Sequence, residues 1–393
     1  MGTLSIDNVI SLILVFVSWL LILFLLTAKT KNRLSNVLLI LFLMVNAQDS
    51  SGLFASYFIY PKFPGLGMAI NSTLFLKFPL LYLYFQSVIY SDFKLRKIHL
   101  LHLIPLIINN LVLTPRFYAV GFDMKWAFLN AAEFRENMEI RFSYIFVHIQ
   151  LVVYVIMCFI LIKKYKTLLL ENYSNASLFN YNWMFQLTAI LAFESFVATL
   201  KNVFLFSDVS SSAYFYSQRI TGFFGLGFIC WIVLKAMHSP ELFRGIASNL
   251  QLVKNLVLKG IHHEMTLKTI SHDKNDDELA EIIKLKKFMF ENEPYLDASL
   301  TLYDLSKKMN IPVKDLSILI NHSLNQHFFD FVNGYRIRRA MEILQDQDKN
   351  DLTVLEILYD VGFNSKSSFN TAFKKYTHLT PTEYRRKFYK SAV

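Results

Sequence analysis

The sequence predicts an all-α protein, with a seven-helix transmembrane bundle followed by a cytoplasmic all-α domain that contains two helix-turn-helix units. Three observations predict this fold class. Hydrophobic residues make up 54% of the chain, more than in an ordinary soluble protein, and they are concentrated before about residue 238. Long apolar runs recur in that region, and a short pattern of helix signals occurs twice near the end. We therefore divide the chain into a transmembrane region 1–238, a linker 239–276 and a polar domain 277–393.

Seven apolar runs come close to the length of helix that crosses about 30 Å of hydrocarbon. They cover roughly 8–28, 34–58, 68–90, 98–114, 142–162, 183–206 and 214–237. The fourth run is the shortest and is interrupted by Pro105. The lipid bilayer is thus the first predicted partner.

Lys and Arg between the runs predict the orientation, because short cytoplasmic connections are enriched in these residues. Basic clusters follow the first, third and fifth runs, namely Lys29, Lys31 and Arg33; Lys94, Arg96 and Lys97; and Lys163, Lys164 and Lys166. The connection after the second run has only Lys62, and the one near Asp208 has no Lys or Arg. This alternation fits an odd number of spans, with the amino terminus outside and the carboxyl terminus in the cytoplasm.

The linker contains an apolar stripe at helical spacing, formed by Ile246, Leu250, Val253 and Val257. Such a stripe is typical of a helix that packs on a membrane surface or on a neighbouring domain. It is also typical of a short parallel coiled coil between the two protomers of a homodimer. The sequence leaves both interpretations open.

The repeated pattern of helix signals covers 301–324 and 353–376. Each copy opens with a threonine that is followed three residues later by an acid, Thr301 with Asp304 and Thr353 with Glu356. This is a capping box, in which the two side chains satisfy free backbone amides at a helix start. Each copy therefore begins with a helix.

A turn and a second helix follow in each copy. Nine residues after each threonine stands a residue that tolerates a left-handed backbone, Asn310 or Gly362. Pro312 suits the first position of the next helix and Ser365 suits its cap. Apolar residues then recur on one face, at Leu316, Leu319 and Ile320 in one copy and at Phe369, Ala372 and Phe373 in the other. The continuous helical pattern 328–345 should hold the two second helices at a fixed separation.

Residues 280 to 390 resemble the DNA-binding domain of the AraC/XylS family of bacterial transcription regulators. The second copy carries the resemblance, through Gly362-Phe363, Ser365, Phe369, Phe373-Lys374-Lys375, Thr380-Pro381 and Tyr384-Arg385. Two glycines that are usual in the family are replaced by Asn325 and by His378, and histidine adopts a left-handed backbone less readily. Spans followed by this domain are similar to membrane-embedded members of the family. The resemblance implies a multi-pass protein of the bacterial cytoplasmic membrane that binds double-stranded promoter DNA.

A recognition helix reads base edges from its first turns, while nearby cations hold phosphates. The outward face of the second copy offers Lys366, Ser367, Asn370 and Thr371 as readers, with Lys374, Lys375 and Arg385 as phosphate contacts. The first copy offers Lys314 and Ser317, beside Ile318 and Asn321. From Gly362 onward the chain has seven Lys and Arg against one acid, a charge balance suited to DNA. The first copy should therefore read fewer bases than the second.

Ionised groups inside apolar spans are costly, and they usually face a cavity or a partner. Asp49, Lys77, Glu194, Lys201 and Arg219 lie within predicted spans, between mid-bilayer and the outer face. They could line a pocket for an unidentified small molecule or envelope signal. They could equally be charge pairs that fix helix packing, and the sequence does not decide between the two.

The sequence contains no Gly-rich phosphate loop and no recognisable nucleophile arrangement, and His99 and His102 lack the further ligands that a zinc site needs. We therefore expect no enzyme, no cofactor and no metal. The predicted function is that of a membrane-anchored one-component transcription regulator controlled by a signal. The alternative is a membrane transporter or channel with a regulatory cytoplasmic tail.

The first testable prediction concerns topology. Reporter fusions after Lys31, Lys97, Lys166 and Arg244 should report the cytoplasm, and fusions near Gly65 and Phe134 should report the outside, because basic clusters stay inside. A pair of fusions at Gly65 and Lys97 that reported the same side would rule out the seven-span topology.

Overall fold

A computed structural model of the chain describes residues 6–27, 33–52, 58–90, 92–130, 136–174, 179–206, 211–238 and 274–390. These residues form helices and turns without a β-strand, although an isolated antiparallel bridge joins Tyr173 to Thr301. The predicted all-α class is thereby confirmed. The described residues form two compact units, of which one comprises 6–163 and 179–238 and the other comprises 164–174 and 274–390.

The amino-terminal unit consists of apolar helices. They are α1 (Ile6–Thr27), α2 (Arg33–Ser50), α3 (Pro64–Ser72), α4 (Lys77–Ile89), α5 (Ile104–Leu113), α6 (Phe122–Asn130), the larger part of α7 (Met138–Asn172), α8 (Phe179–Phe206) and α9 (Ser211–His238). Short 3₁₀ segments join α3 to α4 and lead into α5. Helix α1 packs against α2 and α9, α2 packs against α4, and α8 packs against α9.

Six helical stretches of the described residues are long and apolar enough to cross a membrane. They are Ile6–Thr27, Pro64–Ile89, Lys97–Tyr118, Met138–Asn172, Tyr181–Phe206 and Tyr216–Lys235. Helix α2 occupies the place of the second predicted span, but it is short and carries polar residues at both ends, and it is not among the six. The count of seven spans is therefore not confirmed and stays a prediction.

The carboxyl-terminal unit has shorter helices. They are α10 (Lys274–Asn292), α11 (Leu302–Met309), α12 (Val313–Ile318), α13 (Phe328–Gln345), α14 (Val354–Asp360), α15 (Lys366–Thr377) and α16 (Pro381–Lys390). We call α11 with α12 the first helix pair, and α14 with α15 the second helix pair. Most of the predicted linker, residues 239–273 with the apolar stripe, lies outside the described residues.

Both helix pairs open with the predicted capping box. The Thr301 hydroxyl accepts from the Asp304 amide at 3.2 Å, and the Asp304 carboxylate accepts from the Thr301 amide at 3.1 Å. Thr353 and Glu356 repeat the arrangement, at 3.2 and 2.7 Å. The helix starts that the sequence predicted are therefore confirmed.

The turns within the helix pairs also have the predicted backbone. Asn310 has φ of 54° and Gly362 has φ of 89°, both left-handed. A Cβ atom at Gly362 would lie 2.5 Å from the carbonyl oxygen of Tyr295. Both this clash and the left-handed backbone therefore exclude a larger residue at this position. The two replaced glycines keep the left-handed backbone too, since φ is 49° at Asn325 and 60° at His378.

Helix α13 carries the cores of both helix pairs. Its Phe331 lies in the core of the first pair, which includes the predicted Leu316, Leu319 and Ile320. Its Ile337 lies in the core of the second pair, which includes the predicted Phe369, Ala372 and Phe373. The segment 328–345 thus joins the two pairs through one rigid element, as the sequence predicted.

The first helix pair differs from expectation in two details. Pro312 is the cap of α12 and not its first helical residue, because its ψ of 138° is extended, while its φ of −55° is the value that the ring imposes. The α-helical hydrogen bonding of α12 ends at Ile318, and a π-helical turn over Leu319–Ser323 continues the chain. The second helix of this pair is therefore short and less regular than α15.

The Thr353 cap gives a prediction about local stability. Replacing a threonine cap by alanine costs about 1 kcal/mol, so Thr353→Ala should speed amide hydrogen exchange in α14 about fivefold. Mass spectrometry of the full chain in lipid nanodiscs measures this rate. The matched control Thr382→Ala removes an exposed hydroxyl inside a helix and should leave α14 unchanged. Equal exchange in α14 of the wild type and Thr353→Ala would contradict the capping role.

Candidate nucleic-acid interface

Helix α15 presents one polar face. Its cap is Ser365, whose hydroxyl accepts from the Ser368 amide at 3.2 Å. Burial of Phe369 and Phe373, both 0% exposed, fixes the rotation of the helix. The opposite side then carries the predicted readers together with the first predicted phosphate contact, namely Lys366, Ser367, Asn370, Thr371 and Lys374. All of these are exposed except Asn370, which is half-buried.

Two other predicted phosphate contacts are engaged within their own domain. The Lys375 ammonium lies 2.6 Å from the Asp330 carboxylate on α13. Arg385 donates to the carbonyl oxygen of Leu352 at 2.7 Å. These bonds tie α15 and α16 to the rest of the unit, so each cation already has one internal partner.

The first helix pair offers a smaller polar face. Lys314 is exposed, but Ser317 is only 4% exposed. The side-chain amide of Asn321 donates to the Ser317 carbonyl at 3.1 Å and to the Ser317 hydroxyl at 3.4 Å. The Asn321 oxygen in turn accepts from the Phe328 amide at 3.1 Å, where α13 begins. Ser317 and Asn321 therefore fasten α12 to α13, and Lys314 is left as the predicted contact that faces solvent.

A third capping box was missed although its signal is in the sequence. The Thr380 amide donates to the Glu383 carboxylate at 2.8 Å, and the Thr380 hydroxyl accepts from the Glu383 amide at 3.3 Å. These backbone and side-chain bonds hold the pKa of Glu383 below its ordinary value. The Thr-Pro-Thr-Glu spacing at 380–383 is the same as in the first two boxes. It fixes the start of α16 against α15.

The charged residues of the predicted sensor pocket are only partly brought together. The Lys77 ammonium lies 3.2 Å from the Asp49 carboxylate. Glu194 is close enough to act electrostatically on Lys77, and its buried Oε2 has no hydrogen-bond partner among the described residues. Arg219 pairs instead with Asp7 at 3.2 Å.

An uncharged cavity of about 370 Å³ lies within the amino-terminal unit. Its polar lining consists of amides, hydroxyls and an indole, from Gln48, Tyr60, Asn71, Ser72, Asn109, Trp126, Ser143 and Tyr144. Asn109 is 2% exposed; it donates to the Ser72 hydroxyl at 3.3 Å and accepts from the Ser143 hydroxyl at 2.6 Å. Gln48 of α2 lines the cavity and is followed in the sequence by Asp49, the acid of the ion pair.

Comparison with known proteins places the similarity in the carboxyl-terminal unit. A family model described as "Helix-turn-helix domain" matches residues 305–387. The uncharacterized HTH-type transcriptional regulator YdeC of Bacillus subtilis is 26% identical over 133 residues, which are 34% of this chain and 42% of that protein. The uncharacterized HTH-type transcriptional regulator SACOL0084 of Staphylococcus aureus is 31% identical over 136 residues, which are 34% of this chain and 17% of that protein.

Among solved structures, the carboxyl-terminal domain of AraT, a response regulator from Geobacillus stearothermophilus, matches 27% of this chain and 84% of that one. The sequence identity is 26% and the TM-score is 0.24, which by itself says nothing of the fold. The chain covers less than half the length of both curated relatives named above. The match of the family model lies within the predicted region, and the carboxyl-terminal domain of this chain is a helix-turn-helix domain of the AraC type.

Proposed function

We propose that the chain is a membrane-anchored one-component transcription regulator, in which the carboxyl-terminal domain binds promoter DNA under the control of a signal received by the apolar helices. One observation carries the DNA-binding part. Lys366, Ser367, Asn370, Thr371 and Lys374 share the solvent face of a helix whose opposite face is locked into a core. A polar face on a helix of fixed rotation is what groove recognition requires.

We propose different roles for these side chains according to their positions along α15. Residues near the amino end of a recognition helix meet base edges, and residues further along meet the backbone. Asn370 lies one turn after Lys366, where its amide can make a bidentate contact to adenine. Lys374 lies one turn further and suits a phosphate. We propose Lys314 as the contact of the first helix pair.

Membrane anchoring is supported by the six long apolar helices and by their exposed apolar side chains, such as Phe16, Phe24, Ile156 and Phe196. A surface this apolar suits hydrocarbon better than water. We propose the bacterial cytoplasmic membrane as the location, with the amino terminus outside and the carboxyl-terminal domain in the cytoplasm.

We place the sensing site at the uncharged cavity and the Asp49–Lys77 pair. A cavity lined by amides and hydroxyls can bind a small polar molecule from outside. Glu194 completes the charged group, because an ionised carboxylate with an orphaned oxygen is costly in apolar surroundings and gains from Lys77. A change at the cavity would therefore alter the packing of α2, α4 and α8 through this charged group.

The same buried charges and cavity would also suit the alternative, a transporter or channel with a regulatory tail. That function predicts solute or ion flux across vesicles and no preference for any DNA sequence. The regulator is favoured because the curated relatives are described as HTH-type transcriptional regulators.

The prediction for α15 separates base readout from phosphate contact. Loss of a bidentate amide contact should cost about 1–3 kcal/mol at one base position, so Asn370→Ala should relax specificity there. Lys374→Ala should weaken binding to all sequences alike and lower the salt slope by about one unit. Ser317→Ala serves as a control for the first helix pair and should have smaller effects, because Ser317 is buried.

The measurement is binding of the full chain in nanodiscs to its selected site and to scrambled DNA across a salt series. The assignment of roles on α15 is wrong should Asn370→Ala weaken both DNAs equally, or should Lys374→Ala leave the salt slope intact.

The prediction for the sensing site uses Glu194→Gln, which removes the charge and keeps the shape. It should change transcription from a reporter promoter severalfold at equal protein level, because Lys77 loses part of its compensation. Glu136→Gln, at an exposed carboxylate of the same unit, is the matched control and should not change the output. Unchanged transcription in a stably inserted Glu194→Gln variant would leave Glu194 with a packing role only.

A further inference from the structure

The carboxyl-terminal unit encloses one fully buried cation, Arg336 on α13, which is 0% exposed. Its guanidinium makes five hydrogen bonds, which matches its five N–H groups. They run from Nε to the Tyr295 carbonyl at 2.7 Å, from Nη1 to the Asn333 oxygen at 3.1 Å and the Ser174 carbonyl at 3.1 Å, and from Nη2 to the Asp297 carbonyl at 2.8 Å and the Ser174 hydroxyl at 3.1 Å.

Every acceptor in this set is a neutral dipole. Burial lowers the pKa of Arg336 to about 10, and the Asp297 charge opposes this shift, so the group remains charged at neutral pH. The Asp297 carboxylate itself is occupied by the amide and hydroxyl of Ser299, at 2.9 and 2.7 Å. A buried cation without a carboxylate partner depends on the full set of its hydrogen bonds.

Two of the five bonds are accepted by Ser174, a residue remote from Arg336 in the sequence. Ser174 lies in the loop that follows α7, and it is 1% exposed. Its amide donates to the Leu300 carbonyl at 3.2 Å, and its hydroxyl donates to the same oxygen at 2.6 Å. The preceding residue, Tyr173, forms an antiparallel bridge with Thr301. Tyr173 and Ser174 are therefore held on the domain by main-chain bonds as well as by Arg336.

The place where it sits is the junction of the two helix pairs. Thr301 is the cap of the first pair, and the Arg336 guanidinium lies 5.5 Å from the ring centroid of Phe363, in the turn of the second pair. The turn at Tyr295 also packs against Gly362 so closely that no Cβ would fit. The cap of the first pair and the turn of the second pair thus come together near Arg336, the residue that Ser174 binds.

We propose that the segment Tyr173–Ser174, directly after α7, docks on the carboxyl-terminal domain. Ser174, by accepting hydrogen bonds from Arg336, then fixes the spacing of the two helix pairs. This rests on the proposed function. Helix α7 has 35 residues, or about 52 Å at 1.5 Å per residue, whereas about 20 residues cross a membrane. Helix α7 ends directly before Tyr173 and Ser174. A rotation or a sliding of this helix would therefore displace Ser174 relative to Arg336.

A first experiment tests the docking itself, in the full chain in lipid nanodiscs. A photoreactive benzoyl-phenylalanine that replaces Tyr173 should cross-link to the tryptic peptide Phe288–Lys307, which contains Thr301. The same analogue at Tyr376 is the positive control and should link to the peptide containing Asp330, whose carbonyl lies 2.7 Å from the Tyr376 hydroxyl. Adding Ser174→Arg, which puts a like charge beside Arg336, should abolish the first link and preserve the control link.

Cross-links from position 173 that never reach 288–307, while the control at position 376 links as expected, would overturn the proposal. This outcome does not depend on DNA, so it separates the docking from the proposed function.

A second experiment tests the consequence for DNA. The selected DNA should contain two sub-sites, one for each helix pair. Inserting one base pair between them changes their separation by about 3.4 Å and rotates one against the other. The wild type should lose about tenfold or more in affinity, as for a mismatched base pair. Ser174→Arg should bind the original site more weakly and should show little preference between the two spacings. Ser174→Ala, which removes the hydroxyl and keeps the carbonyl acceptor, should fall between.

The matched control is Asn350→Arg, which adds the same charge at an exposed position between α13 and α14 and should keep the wild-type spacing preference. A Ser174→Arg protein that folds and retains the wild-type preference would overturn the role of the loop. A wild type without any sequence preference would instead refute the proposed function, whatever the cross-links show.

Discussion

A guanidinium withdrawn from water must find an acceptor for each of its five N–H groups, and in this protein Arg336 finds them in three separate parts of the chain. The turn at 295–297 leads into the first helix pair, α13 carries both cores, and the loop at Ser174 follows a long apolar helix. Because a partly satisfied buried cation is unfavourable, these parts hold their places together. The geometry of the helix-turn-helix domain thus depends on a fully buried residue.

The two helix pairs share one design but present different surfaces. Both start from a capping box and turn through a left-handed residue, so the same local chemistry builds each of them. In the second pair, most polar side chains of the outward face of α15 are exposed to solvent. In the first pair, Ser317 and Asn321 serve the packing of a short helix. Base reading should therefore be concentrated in the second pair, with the first contributing mainly to positioning.

Much of the carboxyl-terminal unit could be predicted because its signals are local. Capping boxes, left-handed turns and apolar faces depend on residues within one or two helical turns, and the structure confirms them at Thr353, Gly362 and Phe369. The partners of Lys375 and Arg385, and the docking of Ser174 on Arg336, depend on residues far apart in sequence, which no periodicity reveals. The predicted sensor cluster illustrates the same limit, since Arg219 pairs with Asp7 and not with Glu194.

The central claim is that a protein held by apolar helices reads a specific DNA sequence through α15. The most direct measurement is to isolate membranes from cells that express the full chain, recover the DNA cross-linked to it and sequence that DNA. We expect a small set of sites that share one motif, and loss of that motif with Asn370→Ala while the protein stays in the membrane. Recovered DNA without a shared motif, or a motif indifferent to Asn370→Ala, would contradict it.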